Sequence, residues 1–163
     1  MSTRPYYRLL AALDEGQVEY AVVGGFAVVL HGVPRMTFDL DIVVNLTEQN
    51  MQRLVRVLRQ EDFRPRLPVA LDELTDAHVR ERWVTERNLI AFTLFHPDRS
   101  MEELDILLVL PFPWPEVAQS LIWRQLDGVN VPIVGKPLLR RMKLATGREK
   151  DRIDAELLGE SDD

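Results

Sequence analysis

The chain contains no cysteine among its 163 residues, and this absence excludes several kinds of site at once. Disulfide bridges, thiolate metal centres and cysteine nucleophiles all need the thiol group. No apolar run approaches the roughly 20 residues that cross a bilayer, so we expect no membrane partner. Near the N-terminus the short apolar stretch is soon interrupted by Asp14 and Glu15, which is untypical of a secretory signal. Together these absences predict a cytoplasmic protein.

Positive charge is also scarce. Lys and Arg together number 20 against 26 for Asp and Glu, which gives a net charge of −6 at pH 7. This balance argues against broad, nonspecific attraction to nucleic acid, although it is compatible with a local basic groove. Basic residues cluster in "LLRRMKLATGREKDR" and in "RLVRVLRQ", where Arg53, Arg56 and Arg59 recur every three residues. That recurrence is typical of the solvated face of a helix.

The pattern of apolar and turn residues predicts one domain over residues 1–163. The predicted helices cover 6–13, 26–30, 48–60, 77–81, 115–123 and about 136–158, and the predicted strands cover 18–25, 37–45, 88–96, 103–110 and 129–135. Thr47 is placed to cap the third helix, Pro132 favours an edge position for the last strand, and residues 159–163 form a tail. Strands and helices intermix without a regular βαβ rhythm. The predicted fold class is therefore α+β, with an α/β mixed sheet flanked by helices.

Two aspartates interrupt the strand "TFDLDIVVN". Because strand side chains alternate, Thr37, Asp39 and Asp41 share one face of this strand. Two neighbouring carboxylates raise each other's pKa unless a cation lies between them. Oxygen ligands of this kind suit Mg²⁺ or Mn²⁺. The strand therefore predicts a divalent metal site at Asp39 and Asp41.

A third acid lies within the strand "ELDILLVL". Alternation places Asp105 on the face opposite Leu104 and Ile106. A salt bridge is an equal explanation for Asp105 alone, but together with the other two aspartates it predicts a two-metal site. Glu102 and Glu103 precede it and are the alternative acids for this position in the site.

Gly24 and Gly25 end a predicted strand just before a predicted helix. Glycines there let the backbone approach a ligand and point amide groups at an anion. On its own a Gly-Gly pair is usually only a turn, and neither a GxGxxG fingerprint nor a Gly-Lys-Ser/Thr loop accompanies it. Next to the aspartates, however, the pair predicts a site for a nucleoside triphosphate and its metal.

The segment "GGFAVVLHGVPRMTFDLDI" resembles the signature of the nucleotidyltransferase superfamily with the polymerase-beta-type core. That signature is a Gly-Gly or Gly-Ser turn, an Asp-x-Asp strand and a third Asp on a later strand. Within the superfamily the chain is most similar to AbiE-type abortive-infection toxins of toxin–antitoxin pairs. The matching positions are Gly24, Gly25, His31, Gly32, Arg35, Thr37, Asp39, Asp41, 104–107, Lys143, Leu144, Gly147, Arg148, Lys150, Asp151 and Asp154. The middle of the chain matches no motif, and Gly25 stands where many members have serine.

The resemblance implies a nucleotidyltransferase fold and transfer of NMP from an NTP, such as ATP, to a hydroxyl with release of pyrophosphate. It assigns metal binding and catalysis to Asp39, Asp41 and Asp105. Gly24 and Gly25 would cradle the phosphates. The acceptor stays open between a tRNA or other RNA 3′ end, a protein hydroxyl and a small molecule. A cognate antitoxin is a further expected partner.

The resemblance also assigns nucleotide binding to basic and polar neighbours. Thr37 shares the face of the acids, Arg35 either contacts phosphate or pairs with an acid, and Lys143 either contacts the triphosphate or is an exposed lysine. Asp151 and Asp154 either orient Lys143 or serve as cap or surface residues. His31 is expected to be structural.

Two hypotheses compete with the enzyme. One is a catalytically silent nucleotide-binding or partner-binding module on the same fold, which the absence of serine at residue 25 favours. The other is a purely structural domain whose acids form salt bridges. Retention of all three acids argues against the silent module, since unpaired buried carboxylates are costly unless a metal is bound.

Overall fold

A computed structural model of the chain describes residues 4–159, and within this range seven α-helices surround a seven-stranded sheet. The strands are β1 Tyr20–Val23, β2 Leu40–Val44, β3 Arg64–Pro65, β4 Ala91–Phe95, β5 Glu103–Leu107, β6 Ile122–Leu126 and β7 Val129–Ile133. The helices are α1 Tyr7–Glu15, α2 Gly24–Leu30, α3 Glu48–Gln60, α4 Ala77–Arg87, α5 Trp114–Ser120, α6 Lys136–Ala145 and α7 Glu149–Leu158, with a 3₁₀ turn at Leu71–Thr75. Most of the predicted tail, 160–163, lies outside the described residues.

The sheet is mixed, with strand order β3-β4-β5-β2-β1-β7-β6. The pairs β2–β5 and β1–β7 are parallel, and the other neighbouring pairs are antiparallel. This arrangement confirms the predicted α+β class. The two central strands, β1 and β2, carry buried apolar residues on nearly every position.

Helices pack on the sheet through apolar stripes at helical spacing. In α1 the buried stripe includes Leu9 and Leu13, and in α3 it includes Leu54 and Leu58. Thr47 caps α3 as predicted, because its side chain accepts a hydrogen bond from the Asn50 amide. In the described part of the chain, every helix is too short or too polar to span a bilayer.

Several boundaries differ from the sequence predictions. Helix α4 runs on to Arg87, and Trp123 lies in strand β6 instead of ending helix α5. The expected edge position of Pro132 is wrong, because β7 lies between β6 and β1. In the β1–β7 pair, Val22 lies opposite Ile133, which is the residue after the proline. Pro132 is thus tolerated in an interior strand without interrupting that contact.

Candidate active site

Asp41 and Asp105 are direct neighbours on two parallel strands. In the β2–β5 pair, Leu40, Asp41 and Ile42 lie opposite Leu104, Asp105 and Ile106. The four apolar members of this register are fully buried, so alternation turns both aspartates to the opposite face of the sheet. Asp39 lies one step before β2 on the same face, next to Glu103. Glu102, by contrast, is buried and bound by Arg99.

The carboxylates perturb one another. Burial raises the pKa of Asp41 to about 7, and the charges of Asp105 and Asp39 add to this shift, whereas Lys143 opposes it. Burial also raises the pKa of Asp39, together with the charges of Glu103 and Asp105. Negative charge is therefore in excess at this point of the sheet, as at a site that binds a cation.

The residues present fit a divalent cation, although they do not yet enclose one. All donors are hard carboxylate oxygens, the ligand type that Mg²⁺ and Mn²⁺ prefer. Thr93 on β4 donates a hydrogen bond of 2.5 Å to Asp105 Oδ1 and so orients that carboxylate. Among residues 4–159, no three acidic or imidazole side chains already form a metal-binding group. Asp39, Asp41 and Asp105 are the carboxylates that would hold the ion.

The two glycines lie directly against this acidic face. They form the first turn of α2, rather than a separate turn before it as predicted. Gly24 has φ +65°, and a Cβ there would lie 2.2 Å from Asp41 Oδ2. A Cβ on Gly25 would lie 2.7 Å from Thr37 Oγ1 and 3.5 Å from Arg35 Cζ. Only glycine therefore lets the α2 backbone approach these side chains so closely.

Basic groups border the same turn. Lys143 on α6 is buried rather than exposed, and its Nζ lies 3.1 Å from Asp151 Oδ1 and 3.0 Å from Asp154 Oδ2. Arg35 forms an ion pair with Asp154. Of the two roles considered for Asp151 and Asp154, the structure shows contact with Lys143. His31 Nε2 lies 2.7 Å from the Val134 carbonyl oxygen, a structural contact as predicted.

Tyr6 supports the site and was missed by the sequence analysis. Its hydroxyl lies 2.6 Å from the Phe38 carbonyl oxygen and 2.9 Å from the Glu103 carbonyl oxygen, and it accepts a hydrogen bond from the Glu103 amide. Burial raises the pKa of Tyr6 to about 12, so the phenol keeps its proton. It joins the chain just before Asp39 to the start of β5. A tyrosine at the start of a helix carries no sequence signal for this role.

A further basic side chain, Arg66, pairs with the acid next to Asp39. Arg66 forms a 3.1 Å ion pair with Glu103, and its guanidinium carbon lies 4.8 Å from the centre of the Phe95 ring.

A separate cavity of about 450 Å³ lies between α5, β6 and α6, lined by Glu116, Gln119, Ser120, Ile122, Gly135, Pro137, Leu138 and Arg141. None of the carboxylates of the candidate site lines that cavity. The chemistry therefore points to the open acidic face and not to the cavity.

Comparison with known proteins identifies the fold. No protein-family model matches the chain, and no curated protein matches its sequence. The crystal structure of the lincosamide antibiotic adenylyltransferase LnuA with lincomycin is similar at 15% identity and a TM-score of 0.60, covering 97% of this chain and 96% of that chain. The solution structure of the antibiotic-resistance factor ANT(2″)-Ia is similar at 14% identity and a TM-score of 0.59, covering 93% of this chain and 79% of that chain.

A third similar structure is that of an antigenic nucleotidyltransferase-like protein from Paracoccidioides brasiliensis. It is 20% identical with a TM-score of 0.55, and the match covers 92% of this chain and 71% of that chain. Identities this low establish the fold alone. Similarity to AbiE-type toxins stays a prediction. The chain has an α+β, nucleotidyltransferase-like fold.

Proposed function

We propose that this protein is a Mg²⁺-dependent or Mn²⁺-dependent nucleotidyltransferase, which transfers NMP from an NTP to a hydroxyl group and releases pyrophosphate. The observation that carries the proposal is the apposition of Asp41 and Asp105 on neighbouring strands, with Gly24 packed against Asp41. The carboxylates supply the charge that a divalent cation neutralises, and the glycine turn supplies the close backbone approach that phosphates need. The fold shared with nucleotidyltransferases supports the same activity.

In this mechanism the acids act on the attacking hydroxyl. Bound divalent cations would polarise the α-phosphate and lower the pKa of that hydroxyl. The acceptor oxygen forms a bond to the α-phosphorus, and its proton passes to Asp105. Asp39 and Asp41 would hold the cations that accompany the triphosphate. The 2.5 Å hydrogen bond from Thr93 Oγ1 fixes the orientation of the Asp105 carboxylate.

The basic groups act on the leaving group. The bond between the α-phosphorus and the bridging oxygen breaks, and the electron pair leaves with pyrophosphate. Lys143 and Arg35 offset the negative charge that develops there. The amides at the start of α2 lack partners within the helix and are available to phosphate oxygens. Thr37 Oγ1 lies against Gly25 and can donate to the same oxygens.

The acceptor determines the biological role. LnuA is described with lincomycin, and another structure of ANT(2″)-Ia contains adenylyl-2″-tobramycin. A small hydroxylated molecule is therefore the first acceptor to test for this chain, ahead of an RNA 3′ end or a protein hydroxyl. A toxin role, a cognate antitoxin and a cytoplasmic location complete the proposal on the strength of the sequence resemblance.

A labelling experiment tests the activity. The purified protein is incubated with Mg²⁺ and each α-labelled NTP, in separate reactions with lincomycin, tobramycin, total tRNA and bacterial cell proteins. We expect label in one acceptor, lost in Asp41→Asn and Asp105→Asn. Asp72→Asn is the matched control, because Asp72 is an exposed acid paired with Arg59 on the surface. Label transfer should be unchanged in this control.

Two outcomes would contradict the enzyme. Calorimetric binding of MgATP without transfer to any acceptor would favour the silent nucleotide-binding module. Absence of binding for all four NTPs would contradict both the enzyme and that module. Expression in a bacterial host tests the toxin role separately, since toxicity should disappear in Asp41→Asn.

A further inference from the structure

The last helix holds the basic groups of the candidate site. Asp154 Oδ2 accepts from Lys143 Nζ at 3.0 Å and also from Arg35 Nη1. Asp151 Oδ1 accepts from the same Lys143 Nζ at 3.1 Å. The side chains of Asp151 and Asp154 are 2% and 6% exposed, so this cluster is part of the interior and not a surface ion pair.

Counting the N–H donors of Lys143 and Arg35 shows which of them these contacts leave free. The lysine ammonium group has three N–H donors and the arginine guanidinium has five. Within the described part of the chain, Asp151 and Asp154 occupy two donors of Lys143 and leave one. Arg35 directs Nη1 at Asp154 and Nε at the Met36 carbonyl oxygen, 3.4 Å away, which leaves both N–H donors of Nη2 and one of Nη1. Its guanidinium carbon lies 3.5 Å from the place of a Cβ on Gly25, so the free donors border the glycine turn.

We infer that Asp154 and Asp151 are positioning residues for the nucleotide. They fix Lys143 and Arg35 so that both present their remaining donors to the triphosphate beside Gly25. The inference rests on the proposed function and deepens it, because it makes α7 a required part of a site whose other groups come from β2, β5, α2 and α6. Two long, flexible side chains would otherwise lose rotamer freedom when they bind phosphate.

Charge and burial argue against the opposite interpretation, in which the aspartates compete with the triphosphate. Arg35, Lys143 and Arg148 carry three positive charges, and Asp151 and Asp154 carry two negative ones, so the cluster keeps a net positive charge. A phosphate that displaced either carboxylate would leave a buried charge unpaired, which is costly. The aspartates therefore stay in place when phosphate binds.

Asp151 is anchored independently of Lys143. Its Oδ2 accepts from Thr146 Oγ1 and from Arg148 Nε, each at 2.7 Å. Burial raises its pKa, but hydrogen bonds from Thr146 and Lys143 outweigh this effect and hold the pKa below its ordinary value. Asp151 thus stays ionised, and the turn between α6 and α7 fixes its position.

Lysine NMR gives a direct test of positioning, because Lys136, Lys143 and Lys150 are the only lysines of the chain. With ¹⁵N-labelled lysine, the ammonium signal of Lys143 should be visible through slow proton exchange and absent in Lys143→Arg. In Asp154→Asn we expect this signal to broaden or disappear without any nucleotide present. Glu156→Gln is the matched control: it removes one negative charge from the exposed Arg152 pair on the same helix. The Lys143 signal should be unchanged there.

Measuring nucleotide binding tests whether this positioning matters for the proposed function. By calorimetry with MgATP and with inorganic triphosphate, Asp154→Asn should bind about 10-fold to 100-fold more weakly than wild type, the usual effect of losing an orienting partner. Asp154→Glu, which keeps the charge, should recover part of the loss and also serves if Asp154→Asn folds poorly. Glu156→Gln should bind like wild type.

Each adverse outcome has a separate meaning. Equal or tighter binding by Asp154→Asn would overturn the positioning role and leave the proposed function intact. An unchanged Lys143 signal in Asp154→Asn would overturn it as well. If wild type binds neither MgATP nor inorganic triphosphate, the proposed function and this inference fail together.

Discussion

The hydroxyl of Tyr6 lies 2.6 Å from the carbonyl oxygen of Phe38, at the point where the chain runs into the acidic strand. The same hydroxyl contacts both backbone groups of Glu103, at the start of β5. One phenol thus ties together the two segments that carry Asp39, Asp41 and Asp105. The relative position of the acids depends on a residue that has no chemistry of its own in the proposed reaction.

Tyr6→Phe should destabilise the protein by about 1–3 kcal/mol, because it leaves buried backbone groups without their partner. Urea unfolding measures this difference. The matched control is Tyr20→Phe: the Tyr20 hydroxyl is buried and has no hydrogen-bond partner among residues 4–159. Its removal should be neutral or stabilising. Equal losses in the two variants would contradict the role given to Tyr6.

Asp41 should make the metal-free protein less stable as the pH rises. Its pKa is about 7 in the folded protein against an ordinary 3.8, so the folded state binds this proton more tightly than the unfolded chain. The favourable contribution is complete below the lower value and lost as the pH rises through the higher one. In EDTA, Asp41→Asn should therefore raise the Tm at about pH 8 and make less difference at about pH 5.

Calorimetry across this pH range checks the prediction for Asp41. Mg²⁺ should raise the Tm of wild type at the higher pH and leave that of Asp41→Asn nearly unchanged. Asp72→Asn should show neither effect, because Asp72 is exposed. A lower Tm for Asp41→Asn at both pH values would show that the carboxylate is stabilising without metal.

Gly25 and Thr37 should be energetically coupled. A Cβ on residue 25 would lie 2.7 Å from Thr37 Oγ1 and 3.2 Å from Thr37 Cβ. Gly25→Ala should therefore destabilise the protein, and Thr37→Ala should relieve the closer of these contacts. In a double-mutant cycle read by urea unfolding, we expect the double variant to be about 0.5–3 kcal/mol more stable than the sum of the single changes predicts. Simple additivity would mean that the two residues do not meet.

Thr93 should tune metal affinity through Asp105. Thr93→Val removes the donor that orients the carboxylate and keeps the shape of the side chain. We expect Mn²⁺ binding, followed by electron paramagnetic resonance, to weaken by about 10-fold to 100-fold. Thr93→Ser restores the hydroxyl and should recover most of the affinity. Failure of serine to do so would attribute the loss to packing instead of orientation.

The alternation of side chains along strands and the residues that begin or end helices predicted much of the fold. The Asp39–Asp41 spacing placed two carboxylates on one face, and Thr47 set the start of α3. The last predicted helix, about 136–158, is in fact two helices, because Gly147 with φ +71° lies between α6 and α7. These features are local, since they depend on residues a few positions apart. The approach of the acids to the glycine pair was expected from their order along the chain and from the resemblance.

The remaining features of the site are set by tertiary contacts. Tyr6 and Glu103 are distant in sequence, and their hydrogen bonds depend on how α1 packs against the sheet. Likewise the burial of Lys143 depends on α7 folding back against α6, so the sequence left open whether this lysine is exposed. Pro132 shows the same limit, because its interior position follows from how β7 meets β1.

The parallel pairing of β2 with β5 also has a consequence during synthesis. A nascent chain that has emerged only through α3 already carries the glycine turn and the first acidic strand, yet β5, α6 and α7 are still untranslated. A product truncated after α3 therefore has two of the three aspartates of the candidate site, and it lacks Lys143, Asp151 and Asp154. Unfinished copies of this protein are expected to be inert.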